Sequence, residues 1–121
     1  MDKVQTLVKF WNSFDIPAYD ENSVPDKAEP PYITFNVVTD NLGHVVNLYG
    51  NIWYKSASWR DAERKALQIA KYIGYGHRTM KVDEGILYIT RGTPFSQRMA
   101  DTDDRIKRIY INLQVEYLTE Y

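Results

Sequence analysis

IKRIYINLQVEYLTEY, residues 106–121, alternates over most of its length. Ile109, Ile111, Leu113, Val115 and Tyr117 fall on one parity, and Arg108, Tyr110, Asn112, Gln114 and Glu116 on the other. Successive side chains of a strand point to opposite faces, so this pattern is a long strand with one buried and one wet face. A strand this regular at the end of a chain belongs to a sheet and to its core. The rest of the chain must supply the partners of that strand and the layer that covers its apolar side.

Working back from residue 106, Thr93–Asp104 reads as an irregular loop carrying Pro94, Phe95, Arg98 and Met99. Ile86–Arg91 reads as a strand, with Met80–Val82 a shorter one across the turn Asp83-Glu84-Gly85. Ala62, Ala66, Ile69, Ala70 and Ile73 form the apolar stripe of a helix that Gly74 stops. Ser58-Trp59-Arg60-Asp61 has the spacing of a capping box at its start. Tyr32–Thr39 and His44–Lys55 form a hairpin about Asp40-Asn41-Leu42-Gly43. Gly50, in mid-strand, marks a bulge or a close backbone approach. Val4, Leu7, Val8 and Trp11 recur at helical spacing, and Pro17 ends that first helix. Between them, residues 15–31 hold four of the five prolines and read as a long irregular loop. Ile16, Ala18, Tyr19 and Val24 give it apolar anchors that passive connectors lack, so it reads as functional.

The order α–β–β–α–(β)–β–β makes an α+β fold: a largely antiparallel or mixed sheet with two main helices packed on one face. At 121 residues, 1–121 is expected to be a single domain. Fifteen basic against sixteen acidic residues argue against a general nucleic-acid binder. The absence of cysteine excludes disulfide and thiolate chemistry. MDKVQTLVKF lacks a signal-peptide core, and no apolar run approaches membrane-spanning length. A soluble protein that stays in the compartment where it is made is expected. Ten Tyr and three Trp lean toward a binding surface.

Catalytic or ligand constellations are few. His44 and His77 lack a Ser or carboxylate at catalytic or metal spacing and read as structural or surface residues. Asp101-Thr102-Asp103-Asp104 lacks the glycine and closing glutamate of a calcium loop and runs directly into Arg105, Lys107 and Arg108. It reads as a solvated charge patch, leaving room only for a weak metal site at Asp101, Asp103 and Asp104 shared between subunits. Gly74-Tyr75-Gly76 follows a helix, so it is a helix stop and not a phosphate loop. Arg60, Asp61, Glu63, Arg64 and Lys65 form a mixed solvated helix face. Trp11 is read as the anchor of the first helix on the sheet, with Trp53 and Trp59 covering sheet edges. No enzyme and no cofactor is expected.

The run Trp11…Asp15-Ile16-Pro17-Ala18-Tyr19…Ser23-Val24-Pro25…Pro30-Pro31-Tyr32-Ile33-Thr34-Phe35 resembles small neck and tail-completion proteins of Gram-positive siphophages and related prophages, the tail-terminator family above all. The layout is similar over most of the chain; the specific residues lie within 11–35. The resemblance implies a virion structural protein without catalysis, assembled in the host cytoplasm and located at the tail and neck. It implies a homo-oligomeric ring, expected to be a hexamer, that caps the tail tube and joins it to the head connector or stopper. DNA would be passing cargo only, and no membrane is involved. Tyr19, Val24 and Pro25 match the family pattern as candidate subunit or tube contacts; Phe95, Arg98 and Met99 join them on loop composition alone. The subunit is expected to be monomeric or weakly associated until it meets its template. The alternatives are a head-completion or stopper protein, another tail-completion subunit, or a small cellular protein- or ligand-binding module.

Overall fold

A computed structural model describes residues 1–121. Eight elements follow in order: α1 (Lys3–Trp11), β1 (Ala18–Asp20), β2 (Tyr32–Phe35), β3 (Val45–Lys55), α2 (Arg60–Ile73), β4 (Arg78–Val82), β5 (Gly85–Met99) and β6 (Ile106–Thr119). The strands form one six-stranded sheet in the order β1-β2-β3-β6-β5-β4. β1 runs parallel to β2, and every other neighbouring pair is antiparallel. The α+β expectation therefore holds, with a mixed sheet.

β6 is the spine. It pairs with β3 from Lys55↔Ile106 to Val45↔Glu116 and with β5 on its other side. Ile109, Ile111, Leu113, Val115 and Tyr117 are all buried, as the alternation requires. Both helices cover that face, and α1 reaches the two edge strands, β1 and β4, so the sheet curls around it. The α2 stripe Ala62, Ala66, Ile69 and Ile73 is buried, and its small alanines let the helix lie close to β3, β5 and β6. Gly74, at φ 86, ends the helix in a conformation that disfavours a side chain.

The core stripe of α1 differs from the expected one. Thr6, Leu7, Phe10 and Trp11 are buried and Phe14 continues the line, whereas Val4 and Val8 are 44% and 38% exposed. The aromatic positions win the inner face because they bury more area per residue. Phe10 meets Trp11 and Phe14 edge to face, and Trp11 lies flat against Phe35 with ring centroids 5.9 Å apart. Gly50 is the close approach that its mid-strand position signalled. A Cβ there would stand 2.6 Å from the Trp11 ring, so the indole occupies the space a side chain would take. Trp11 is thus the helix anchor.

Three local expectations are corrected. The capping box sits on α1, where Gln5 N–H donates to Asp2 Oδ1 (2.8 Å) and Asp2 N–H to Gln5 Oε1 (3.0 Å). α2 opens at Trp59 with no side-chain cap; Ser58 Oγ instead accepts from Arg60 N–H (3.0 Å), two residues on, which makes a turn. Asp61 and Glu63 in the first turn still complement the helix dipole. The segment 15–31 is not wholly irregular, because Ala18–Asp20 adds β1 alongside Ile33–Phe35. The segment 93–104 is not a loop throughout either. β5 bulges where residues 92–95 intervene between Arg91↔Leu113 and Ser96↔Ile111, then pairs again to Met99↔Arg108. Pro94 falls in that bulge, where no ladder donor is required. Gly92 is packed against Asn112, whose Nδ2 would be 2.6 Å from a Cβ.

Tyr117 sits at the inner end of β6 and donates its hydroxyl to the Val38 carbonyl. Burial, followed by the Asp40 charge, pushes its pKa up to about 12 from 10.0. The folded state therefore keeps this proton after the unfolded chain has lost it. Its stabilising contribution is complete below pH 10 and is lost as pH rises toward 12, on the order of 2 kcal/mol. Urea titrations at pH 9 and 11 should show about half of that loss, roughly 1 kcal/mol, in the native chain and a smaller one in Tyr117→Phe.

Candidate interaction surface

No helix packs on the other face of the sheet. Its side chains fall into rows set by the strand register. Tyr32, Trp53, Arg108 and Met99 make one row across β2, β3, β6 and β5. Tyr19, Thr34, Asn51, Tyr110 and Gln97 make the next, beginning on β1. Tyr49 and Asn112 pair in a third. With strands about 4.8 Å apart, the second row spans roughly 19 Å.

The rings touch in sequence across the strands. Tyr19 meets Tyr32 at 5.9 Å between centroids, Tyr32 meets Trp53 at 6.3 Å, and Tyr49 stacks on Tyr110 at 5.4 Å. The Arg108 guanidinium lies 5.1 Å from the Trp53 ring centre. Trp53 Nε1–H donates to Thr34 Oγ1 at 2.9 Å, which fixes the indole plane. At the rim, Tyr49 OH donates to Glu21 Oε1 at 2.6 Å, and that bond, ahead of burial and the carboxylate charge, raises the Tyr49 pKa. Below the rings Asn51 is only 8% exposed and its Oδ1 has no partner; Arg108 Nε is likewise buried and unpaired. Unsatisfied buried groups are costly, so the side chains above them hold a defined arrangement against a local penalty. Arg108 is the one formal charge within these rows. Aromatics, Met and Arg with few other charges are the composition of an interface centre.

The six residues singled out from sequence do not form one patch. Tyr19 and Met99 lie on the open face, at opposite ends of its first two rows. Arg98 is on the helix side, where its Nε donates to Glu63 Oε1 (2.8 Å) and its guanidinium lies over Trp59. Phe95 sits in the β5 bulge, partly buried against the core. Val24 is half-buried and Pro25 exposed in the segment after β1, where the Pro25 carbonyl accepts from Ala28 N–H at 3.0 Å. Trp53 is not an edge cover, since β3 is interior to the sheet; Trp59 lies at the start of α2 between Arg98 and Lys107. Tyr32, Tyr49, Trp53, Arg108 and Tyr110 escape sequence reasoning as a group. Their signal is the wet parity of β2, β3 and β6, which is aromatic and amide-rich where an ordinary solvated face carries Lys and Glu.

Elsewhere the chemistry is sparse. His44 is exposed, and His77 is exposed with its ring stacked 4.4 Å from Tyr88; neither makes a side-chain hydrogen bond. No three His, Asp or Glu side chains converge as a metal cluster would. Asp103 is held below the usual carboxylate range by hydrogen bonds from the Arg105 backbone and then its side chain. Burial, then Asp61, raises the Tyr54 pKa. No helix is long and apolar enough to cross a membrane. No family model, curated protein or solved structure matches the chain.

Proposed function

We propose that this chain is a virion structural subunit, a tail terminator that assembles into a ring, caps the tail tube and presents a surface to the head connector. One observation carries the reading beyond resemblance: the uncovered sheet face centred on Tyr32, Trp53, Arg108 and Tyr110, an interface composition without a partner inside the chain. A ring that closes by rotation needs each subunit to offer two different patches. The open face supplies one, and the segment from Ile16 to Pro31, which runs off the β1 edge beside that face, extends it toward a neighbour or the tube. Such a subunit works by complementary burial, with aromatic and arginine anchors dominating and rim charges adding little. The reading is tested by light scattering and negative stain of the purified chain, alone and with tail-tube protein from the same source. A hexamer-sized species seen as rings is expected in at least the mixed sample. A chain that stays blind to the tube and forms no ring would move the assignment to a stopper or a cellular binding module.

A further inference from the structure

The two edges of the sheet are finished differently. On β1, Ala18 N–H donates to Asn12 Oδ1 (3.0 Å) and Asn12 Nδ2 donates back to the Ala18 carbonyl (3.3 Å). The Asp20 carbonyl accepts from Ser23 N–H at 2.9 Å. Three of the four outward backbone groups of that edge are thus closed by its own chain, as sheet proteins commonly arrange. β4 has no counterpart. No loop, cap or side-chain hydrogen bond reaches a backbone group of Arg78–Val82; only the turn beyond is tied, by Asp83 N–H to the Met1 carbonyl at 2.8 Å. Val82 opposes Gly85 across a two-residue turn, so Val82, Met80 and Arg78 bond inward to β5. Thr79 and Lys81 turn their N–H and C=O groups outward.

We propose that β4 docks on β4 of a second copy of this chain, antiparallel about a two-fold axis at Met80. The closed β1 edge leaves no second free edge for head-to-tail sheet continuation, so edge pairing between copies has to be isologous. The charges favour the same arrangement. β4 is polarised, with His77 before it and Arg78 as its first residue, and Asp83 and Glu84 after it. Placing Met80 opposite Met80 sets Thr79 against Lys81 and Arg78 against Val82, so no like charges face each other. It also brings the basic start of each strand to the acidic end of the other. A shift of one residue would set outward-bonding groups against inward-bonding ones, and a shift of two toward the turn would oppose Lys81 to Lys81. On the helix side Met80 is half-buried and borders a groove shared with Phe10 of α1 and Tyr72 of α2. Met80 of the other copy would extend that apolar lining. Lys81 is the sort of residue that blunts an edge, and opposite Thr79 it does not obstruct this register. Five residues a side make a small contact, so the dimer is weak and grows with concentration.

The chain has no cysteine, which permits a clean covalent trap. Directly opposed residues of a non-hydrogen-bonded pair lie about 4.5 Å apart at Cα, within disulfide range. Met80→Cys should therefore form an interchain disulfide under mild oxidation at least about tenfold faster than Asn22→Cys, an exposed control. Thr79→Cys alone should cross-link poorly, and mixed with Lys81→Cys it should cross-link well. Thr79→Pro removes one outward N–H without touching an inward bond. By light scattering it should stay at monomer mass where the native chain climbs toward twice that mass, with an unchanged circular dichroism spectrum. Cross-linking of Met80→Cys no faster than the control overturns the proposal, and so does a native dimer that survives Thr79→Pro. A strand from another protein on β4 would leave the free chain monomeric and Met80→Cys unlinked, which also overturns it. The edge is separate from the open face, so loss of ring formation through Trp53 or Tyr110 leaves these readouts unchanged.

Discussion

Trp11→Ala is expected to lower the unfolding free energy by about 3–5 kcal/mol, the range for deleting a large buried aromatic. The side chain is fully buried and joins three elements of the fold. It meets Phe10 on its own helix, stacks on Phe35 of β2, and lies over the bare backbone of Gly50 on β3. A domain of this size is stable by only about 5–15 kcal/mol, so the variant should unfold far earlier in urea with an unchanged slope. Gly50 makes the prediction specific. Gly50→Ala alone should destabilise by about 1–3 kcal/mol, because its methyl meets the indole at 2.6 Å. In the Trp11→Ala background the same methyl enters vacated space and should be neutral or stabilising. The double-mutant cycle should therefore return a coupling of roughly 1 kcal/mol or more, and additivity would show that the ring does not depend on the glycine. Trp11→Phe is the milder test. It loses volume but also removes an indole N–H that has no partner in the core, so its cost should fall well below that of alanine.

The legible parts of this fold are those in which one strong signal acts alone. The wet and dry parities of β6 are visible because the strand has a single apolar face over its length, and every dry-side residue from Ile109 to Tyr117 is buried. Gly50 is legible because a glycine weakens the middle of a strand unless a bulge or a close neighbour requires it. Where two signals compete, the pattern misleads. Val4 and Val8 share helical spacing with Leu7 and Trp11, but the heavier residues Phe10 and Phe14 turn α1 so that the valines face outward. Gly92 and Pro94 look like loop residues, and they are accommodated in a bulge that lets β5 resume pairing at Ser96. β1 has no local signal at all. Three residues among prolines become a strand only because Ile33 N–H reaches the Pro17 carbonyl (2.8 Å) and Asn12 closes the outer side. The candidate surface is half legible. Tyr19 and Met99 stand out in the sequence, but the rings between them lie on separate strands, and only the register brings them into rows.

The same rows set the second large effect. Trp53→Thr with Tyr110→Thr should leave the fold intact and weaken ring or tube association by roughly 10²–10³-fold. Both side chains are half-buried on a face with no covering layer, and threonine keeps the strand propensity of β3 and β6. Each is placed as a central anchor. Trp53 is held by Thr34 and flanked by Tyr32 and Arg108, and Tyr110 is stacked on Tyr49. Truncating such an anchor typically costs about 2 kcal/mol or more in binding, so about 4 kcal/mol for two, less any coupling between them, sets the stated range. The readouts are circular dichroism and urea unfolding for the fold, and light scattering with tail-tube protein for assembly. Leu67→Lys is the matched control, since Leu67 lies on α2 in the helix layer and is 54% exposed. If the open face is the contact, the lysine variant assembles like the native chain and the double threonine variant does not. If Leu67→Lys is the one that fails, assembly runs through the helix layer, and the aromatic rows lose their role as the anchor of the ring.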